Sequence, residues 1–315
     1  MNESGQRAVT KGGAPEAEAI LEETLSLRAA DETELTASLF IGDGAAASSP
    51  AVIVACATGV KRSFYAPFAR YLASRGWRAA TLDYRGIGDS APKDLREIRQ
   101  APMQAWAEQD LSALVKELQQ RYPQAPLGWV GHSFGGQALG LVAGGEEVRA
   151  AAFVAAQSGD WRRWPKRHWP RLWLFLYLLL PLVSRWKGYF PARALGMGEN
   201  LPEGVARQWA RWCRQRDYLM YGEEAKREKR AERFAKIQGT LRAYSFSDDF
   251  FAPEAPAAAL LSWYRGVGEE RRTHRHLKPQ DLGRRSIGHF GPFRDALKDT
   301  LWREIADFLE QELQA

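Results

Sequence analysis

Cysteine is scarce in this chain of 315 residues. Only Cys56 and Cys213 are present, so no disulfide framework is expected and a reducing, cytoplasmic compartment is the default. The cysteines and the five histidines are not spaced like zinc ligands, so no metal is predicted. Long apolar runs are also missing. The run at 172–183 has twelve residues, whereas a membrane-spanning helix needs about twenty.

Positive charge is concentrated in one part of the chain. The net charge is +6, yet residues 160–235 hold 17 Lys and Arg against 8 Asp and Glu, a local net of +9. The same segment holds seven of the twelve tryptophans. This shift predicts an insert with its own chemistry. Residues 1–18 are polar and Gly-rich without an apolar centre, which predicts a disordered tail and no signal peptide.

Apolar strands alternate with helices along the rest of the chain. This pattern predicts an α/β fold with a mostly parallel, eight-stranded sheet and helices on both faces. The predicted core covers 19–159 and 236–315, and a helical cap at 160–235 interrupts it. The predicted strands are 22–27, 34–41, 51–57, 77–82, 127–130, 148–155, 241–246 and 271–277, the first two forming an antiparallel edge hairpin, and the predicted core helices are 65–74, 105–121, 254–264 and 293–314.

The most informative motif follows the strand at 127–130. The sequence GHSFG at 131–135 matches the pattern G-x-S-x-G, and the stretch of small residues at 137–143 predicts a helix after it. A serine between glycines at a strand-to-helix junction is typical of a nucleophile elbow. Glycine tolerates the tight turn, and the hydroxyl of Ser133 stands at a helix N-terminus, where developing negative charge is stabilised.

A serine nucleophile needs a base, and the base needs an acid that orients it. The expected chain order is serine, acid, histidine. We predict His289 as the base, because it lies in a Gly-flanked loop between the last strand and the last helix, whereas His274 and His276 fit ordinary strand residues. We predict Asp249 as the acid, since its D-x-x-x-P spacing places proline at the start of the next helix. Asp248 remains the alternative, and the unused carboxylate would cap the turn.

Two backbone N–H groups are expected to form an oxyanion hole. One belongs to Phe134, the residue after the nucleophile. The other is expected from the loop after the strand at 51–57, with Val60 as the first choice and Gly59 as the second. In the loop at 83–90, Asp83 and Arg85 are expected to hold neighbouring loops by ion pairs.

Together these residues resemble the α/β-hydrolase superfamily, and most nearly the predicted bacterial hydrolases of the serine aminopeptidase and monoacylglycerol lipase-like kind. The resemblance covers roughly residues 20–315. The stretches that carry it are GHSFGG at 131–136, DYRGIGDS at 83–90, Asp249 with Pro253, and GHF at 288–290.

The resemblance implies a catalytic triad of Ser133, Asp249 and His289, an acyl-enzyme mechanism and no cofactor. One departure concerns the oxyanion loop, where many members have His-Gly and this chain has Thr58-Gly59. The backbone donor survives that change, but the side-chain bracing of the loop differs. The superfamily is broad, so the resemblance does not give the substrate.

The segment 161–187 joins Trp and Arg residues to the apolar run, and two interpretations stay open. One interpretation is a cap helix over the active site. The other is a lid that contacts an anionic membrane surface, which would make the protein peripheral to the inner face of the membrane. The stretch 205–216 repeats the Trp and Arg pattern at helical spacing, and 223–233 predicts a solvated helix. The chain has no nucleic-acid recognition motif, so nucleic acid is not an expected partner.

The sequence therefore predicts a serine hydrolase that cleaves a carboxylic ester, thioester or amide of a hydrophobic acyl substrate, with a carboxylesterase or lipase-like activity favoured. Two alternatives remain. One is an acyltransferase that uses the same triad, and the other is a non-catalytic, hydrolase-like protein that binds lipid or a partner through its cap.

Overall fold

The computed structural model describes residues 20–314, and the tail predicted at 1–18 lies outside them. Eight strands form one sheet and two short strands form another. The strands are β1 Leu21–Arg28, β2 Glu34–Ile41, β3 Ala51–Ala55, β4 Arg78–Leu82, β5 Leu127–His132, β6 Val148–Val154, β7 Tyr189–Phe190, β8 Leu201–Pro202, β9 Thr240–Phe246 and β10 Arg272–Leu277.

The large sheet has the order β1-β2-β4-β3-β5-β6-β9-β10. Strand β2 pairs antiparallel with both β1 and β4, and every other pairing in this sheet is parallel. The mostly parallel, eight-stranded sheet and its antiparallel edge hairpin are thus confirmed. The inner strands β3, β4 and β5 are buried along their whole length, because helices cover both faces.

Eleven α-helices accompany the strands in the described part of the chain. They are α1 Ala66–Ala73, α2 Met103–Ala105, α3 Ser112–Arg121, α4 Phe134–Ala138, α5 Trp169–Trp173, α6 Leu180–Lys187, α7 Glu203–Arg214, α8 Gly222–Arg227, α9 Arg230–Lys236, α10 Glu254–Leu261 and α11 Arg303–Leu313. Wider π-helical turns at Trp106–Leu111 and Leu174–Leu179 join α2 to α3 and α5 to α6.

The helix predicted at 137–143 was wrong in its bounds. Helix α4 begins at Phe134, directly after the turn at Ser133, and continues only as a 3₁₀ turn at Leu139–Leu141. Strand β5 is correspondingly longer than predicted and runs to His132. The turn is so tight that strand and helix are separated by one residue, which a search for apolar periodicity does not reveal.

The segment between β6 and β9 contains α5 to α9 and the small β7–β8 sheet. Its first part is helical without interruption from Trp169 to Lys187 and carries the wider turn just before Pro181. Proline has no N–H to donate to the preceding turn, and a π-helical turn accommodates that loss. Across residues 20–314, no helix has both the length and the apolar character needed to cross a bilayer.

The single solvated helix predicted at 223–233 was wrong as well. Two helices, α8 and α9, lie there, and the chain turns between them at Lys229, whose φ is 51°. The reason is Arg230, which is only 1% exposed. Its guanidinium donates to the Leu219 carbonyl at 2.6 Å, to the Gln104 side-chain oxygen at 2.8 Å and to Glu228 at 2.8 Å.

Gln104 belongs to α2, so Arg230 ties the segment between β6 and β9 to α2 through a buried network. Replacing Arg230 with alanine should lower the free energy of unfolding by about 3 kcal/mol, because its acceptors would stay buried without their donor. Urea titration measures this. Arg227→Ala is the matched control, since Arg227 is exposed and forms no ion pair within residues 20–314. An equal loss in both variants would contradict the role of the network.

Candidate active site

Ser133 occupies a strained turn at the end of β5. Its φ and ψ are 51° and −113°, which an L-residue adopts only when the surrounding structure enforces it. The Ser133 N–H donates to the Val154 carbonyl of β6 at 3.0 Å, and the Trp129 indole donates to the Gly135 carbonyl at 3.0 Å. These bonds hold the turn from both sides.

Close backbone packing explains the glycines around Ser133. A Cβ atom on Gly135 would collide with the Ala55 carbonyl of β3, and one on Gly131 would collide with the backbone of Gly136. The turn is therefore packed directly against the neighbouring strand. As a result, the Ser133 side chain lies at the carboxyl edge of the sheet and at the N-terminus of α4.

Asp249 and His289 lie in contact at the same edge. Nδ1 of His289 is 2.8 Å from Oδ2 of Asp249, and both side chains are almost fully buried. The other oxygen, Oδ1, accepts the N–H of Phe251 at 2.7 Å and of Ala252 at 3.2 Å. An ionised carboxylate only accepts hydrogen bonds, so Nδ1 carries the proton and Nε2 is free to act as a base.

Ser133 and His289 line one small cavity of about 90 Å³. Within residues 20–314 no hydrogen bond joins the Ser133 hydroxyl to His289, although both residues line this cavity. Catalytic hydrogen bonds are often long before substrate binds. The structure thus places the predicted nucleophile and base in the wall of one cavity, and the predicted acid is bound to the base.

The prediction that the unused carboxylate, Asp248, caps the turn was wrong. Oδ2 of Asp248 accepts the N–H of Ile287 at 2.8 Å and the N–H of Gly288 at 3.1 Å. The two adjacent carboxylates therefore have different partners. Asp249 holds the imidazole of His289, and Asp248 holds the loop that carries it.

The predicted oxyanion donors differ in outcome. Phe134 is the first residue of α4, so its N–H points away from the helix toward the edge where Ser133 lies. The N–H of Val60 instead donates to the Ala57 carbonyl at 3.2 Å and closes a turn in which Gly59 has a φ of 70°. Neither Val60 nor Gly59 lines the cavity, whereas Thr58 does.

We therefore expect Thr58, rather than Val60, to supply the second donor. In the described part of the chain, the Thr58 N–H donates to no other group, and this residue shares the cavity wall with Ser133. The sequence does not show which N–H of this loop is free to bind an oxyanion, because that depends on which residues close the turn.

A buried hydrogen-bond chain connects this loop to the histidine loop. The Ala57 N–H donates to the Tyr65 hydroxyl at 2.8 Å, and that hydroxyl lies 2.7 Å from Nδ1 of His132. Nε2 of His132 lies 2.9 Å from the carbonyl of His289. A carbonyl only accepts, so the His132 proton is on Nε2, and the Tyr65 hydroxyl donates to Nδ1. Sequence reasoning missed this role, although His132 is the variable residue before the serine in G-x-S-x-G.

His132 is uncharged in this chain. Complete burial holds its pKa well below the usual value, and the neighbouring His289 lowers the pKa further. A charged imidazolium would have to donate from both nitrogens and would leave the Tyr65 hydroxyl without its acceptor.

Ion pairs of Asp83 and Arg85 hold the loop at 83–90, as predicted. Asp83 pairs with Arg62. Arg85 bridges the buried Asp110 at 2.6 Å and Asp31 at 2.5 Å, and burial raises the pKa of Asp110 to about 6. Nothing in residues 20–314 groups three or more His, Cys, Asp or Glu side chains as a metal would require.

A second, larger cavity of about 520 Å³ adjoins the first. Both cavities are lined by Gln157, Gly196, Met197, Trp209 and Phe251, which form the partition between them. The larger cavity lies under the helix Trp169–Lys187, and its other walls are mostly apolar and aromatic. An apolar chain attached to a group beside Ser133 would fit there.

Comparison with known proteins agrees with this architecture. Residues 48–203, which include Ser133, match the family described as serine aminopeptidase, S33. No curated protein matches the chain in sequence.

Among solved structures, the esterase domain of a Rhodothermus marinus protein has a TM-score of 0.55 at 16% identity, covering 93% of this chain and 100% of that chain. A highly thermostable carboxyl esterase from Bacillus coagulans gives 0.58 at 13%, covering 93% and 99%. The alpha/beta hydrolase GrgF from Penicillium sp. sh18 gives 0.60 at 18%, covering 94% and 100%. At these identities the likeness shows the fold.

The low pKa of His132 predicts how stability changes with pH. The unfolded chain takes up a proton on this residue below about pH 6.5, whereas the folded chain does not. The stability that neutral His132 contributes is therefore present above pH 6.5 and is lost as the pH falls. Relative to His132→Gln, the wild-type free energy of unfolding should fall by up to about 1.4 kcal/mol per pH unit below that point. Urea titrations between pH 5 and 8 measure it, and a difference that stays constant with pH would contradict the buried neutral state.

Proposed function

Because this chain belongs to the α/β-hydrolase superfamily, we propose that it is a serine hydrolase that cleaves a carboxylic ester, thioester or amide of a hydrophobic acyl group. One observation carries the proposal: a strained serine shares a cavity with a histidine whose Nδ1 is bound to a buried carboxylate. An ester of the carboxylesterase or lipase type is the favoured substrate.

The reaction begins when Oγ of Ser133 attacks the acyl carbonyl carbon and passes its proton to Nε2 of His289. Asp249 keeps the other nitrogen protonated and stabilises the imidazolium that forms. The negative carbonyl oxygen is held by the N–H groups of Phe134 and Thr58 and by the N-terminus of α4.

The carbonyl then re-forms, and the bond to the leaving group breaks. His289 returns its proton to the departing oxygen, sulfur or nitrogen, and the acyl group remains as an ester on Ser133. Water next gives a proton to His289 and attacks this ester, and the acid is released when Ser133 takes its proton back. The groups on this chain suffice for every proton transfer.

A fluorophosphonate probe tests whether Ser133 is an activated nucleophile. Wild-type protein should be labelled, and labelling should fall more than a hundredfold in Ser133→Ala and in His289→Ala, because the first loses the nucleophile and the second its base. His274→Ala is the matched histidine control and should label normally. If Ser133→Ala is labelled as strongly as the wild type, the assignment is contradicted. It is also contradicted if folded wild-type protein is never labelled.

The adjoining cavity predicts a preference for long acyl chains. Met197 lies in the partition, so Met197→Trp should narrow the passage between the two cavities. We expect kcat/KM for a decanoyl p-nitrophenyl ester to fall at least tenfold, while kcat/KM for the acetyl ester changes less than threefold. The acetyl ester is the internal control for folding. A parallel loss on both esters, or no dependence on acyl length in the wild type, would contradict this cavity as the acyl site.

A further inference from the structure

The helix that covers the larger cavity has an exposed apolar side. Leu174, Leu178, Leu182 and Trp186 follow one another at four-residue intervals along Trp169–Lys187, so they lie on one side of the helix. All four are exposed, Leu182 by 59% and Trp186 by 81%. We call these four residues the apolar face.

Exposed apolar side chains are concentrated in this region. Of the ten large hydrophobic residues that are exposed in the described part of the chain, seven lie between 173 and 195. Single exposed apolar side chains are common on protein surfaces, whereas a cluster of them in one region is typical of an interaction site.

The charge around the apolar face has one sign. Residues 161–198 contain eight Lys and Arg and no Asp or Glu. Two of the eight are paired, Arg162 with Asp160 and Arg163 with Asp217. Among residues 20–314 the other six form no ion pair, and all are exposed; they are Lys166, Arg167, Arg171, Arg185, Lys187 and Arg193.

We propose that this region docks on the surface of an anionic lipid bilayer, with the apolar face inserted among the acyl chains and the six cations against the headgroups. A tryptophan and flanking cations beside a helix that is too short and too polar to span are typical of interfacial binding. A second copy of the chain fits less well, because it would place six unpaired cations against the same six cations.

The larger cavity opens on this surface. Leu174, Leu179 and Leu195 line the cavity and are also exposed. A chain that leaves the bilayer at the apolar face could therefore enter the cavity without crossing water. Delivery of a membrane-borne acyl substrate to Ser133 rests on the proposed function, whereas docking itself does not.

Co-sedimentation with vesicles tests the docking surface. Wild-type protein should bind phosphatidylcholine vesicles that contain phosphatidylglycerol at least tenfold more tightly than pure phosphatidylcholine vesicles, and salt should weaken the binding. The double variant Leu178→Asp/Trp186→Asp should lose at least tenfold of the binding. Leu21→Asp/Tyr221→Asp is its matched control, since both residues are exposed but lie outside the apolar face, and it should bind like the wild type.

Arg185→Gln/Lys187→Gln removes two of the six cations and should also weaken anionic binding at least tenfold. Its control, Lys93→Gln/Lys116→Gln, removes two exposed lysines elsewhere and should change binding less than threefold. Every substituted side chain is exposed, so thermal unfolding should be nearly unchanged in each variant.

Ser133→Ala separates docking from catalysis, because it should bind vesicles like the wild type whatever its activity. Equal binding to both vesicle types, or apolar-face variants that bind like the wild type, would overturn the proposal. A wild-type dimer in gel filtration that Leu178→Asp/Trp186→Asp dissociates would also overturn it and would assign the apolar face to a second copy.

Discussion

The contact between the turn at Ser133 and strand β3 is the constraint on which the rest of this molecule depends. Gly135 packs so closely on the Ala55 carbonyl that no Cβ atom fits. This packing requires β3 and β5 to be parallel neighbours with Ala55 opposite Gly131, and it forces Ser133 into backbone angles that a free chain avoids. The surrounding sheet maintains this conformation, since Ser133 is bonded on its other side to β6.

Once the turn is fixed, chain topology supplies the partners. Strand β9 is next to β6, so the loop after it reaches the same edge and carries Asp249 there. The loop after β10 brings His289 from farther along the chain. These two residues could be predicted from the sequence because their order and their loop contexts are local signals. The mostly parallel sheet could be predicted for a similar reason, because the hydrophobic periodicity of strands and helices is a property of consecutive residues.

The remaining features depend on contacts between distant residues. The spacing to Pro253 favours Asp249 over Asp248 as the acid, but the separate role of Asp248 depends on the histidine loop, whose N–H groups it accepts. The loop sequence predicts Val60 as an oxyanion donor, but the N–H of Val60 closes the turn at Gly59 by donating to the Ala57 carbonyl. The same holds for Arg230, which belongs to a charged stretch that predicts a solvated helix. Arg230 is buried because it donates to acceptors inside the protein. One of them, Gln104, is far from Arg230 in the sequence, so the local pattern does not reveal the contact.

The hydrogen-bond chain from Ala57 through Tyr65 and His132 to His289 has a fixed polarity. Each group donates to the next in one direction, from the amide of Ala57 to the carbonyl of His289, and such aligned bonds strengthen one another in a buried setting. The direction cannot reverse, because a backbone N–H cannot accept and a carbonyl oxygen cannot donate. The loops on either side of Ser133 are thus parts of one oriented unit. A displacement of one loop disturbs the alignment at the other, and Tyr65 and His132 can be exchanged only for residues that preserve the sense of donation.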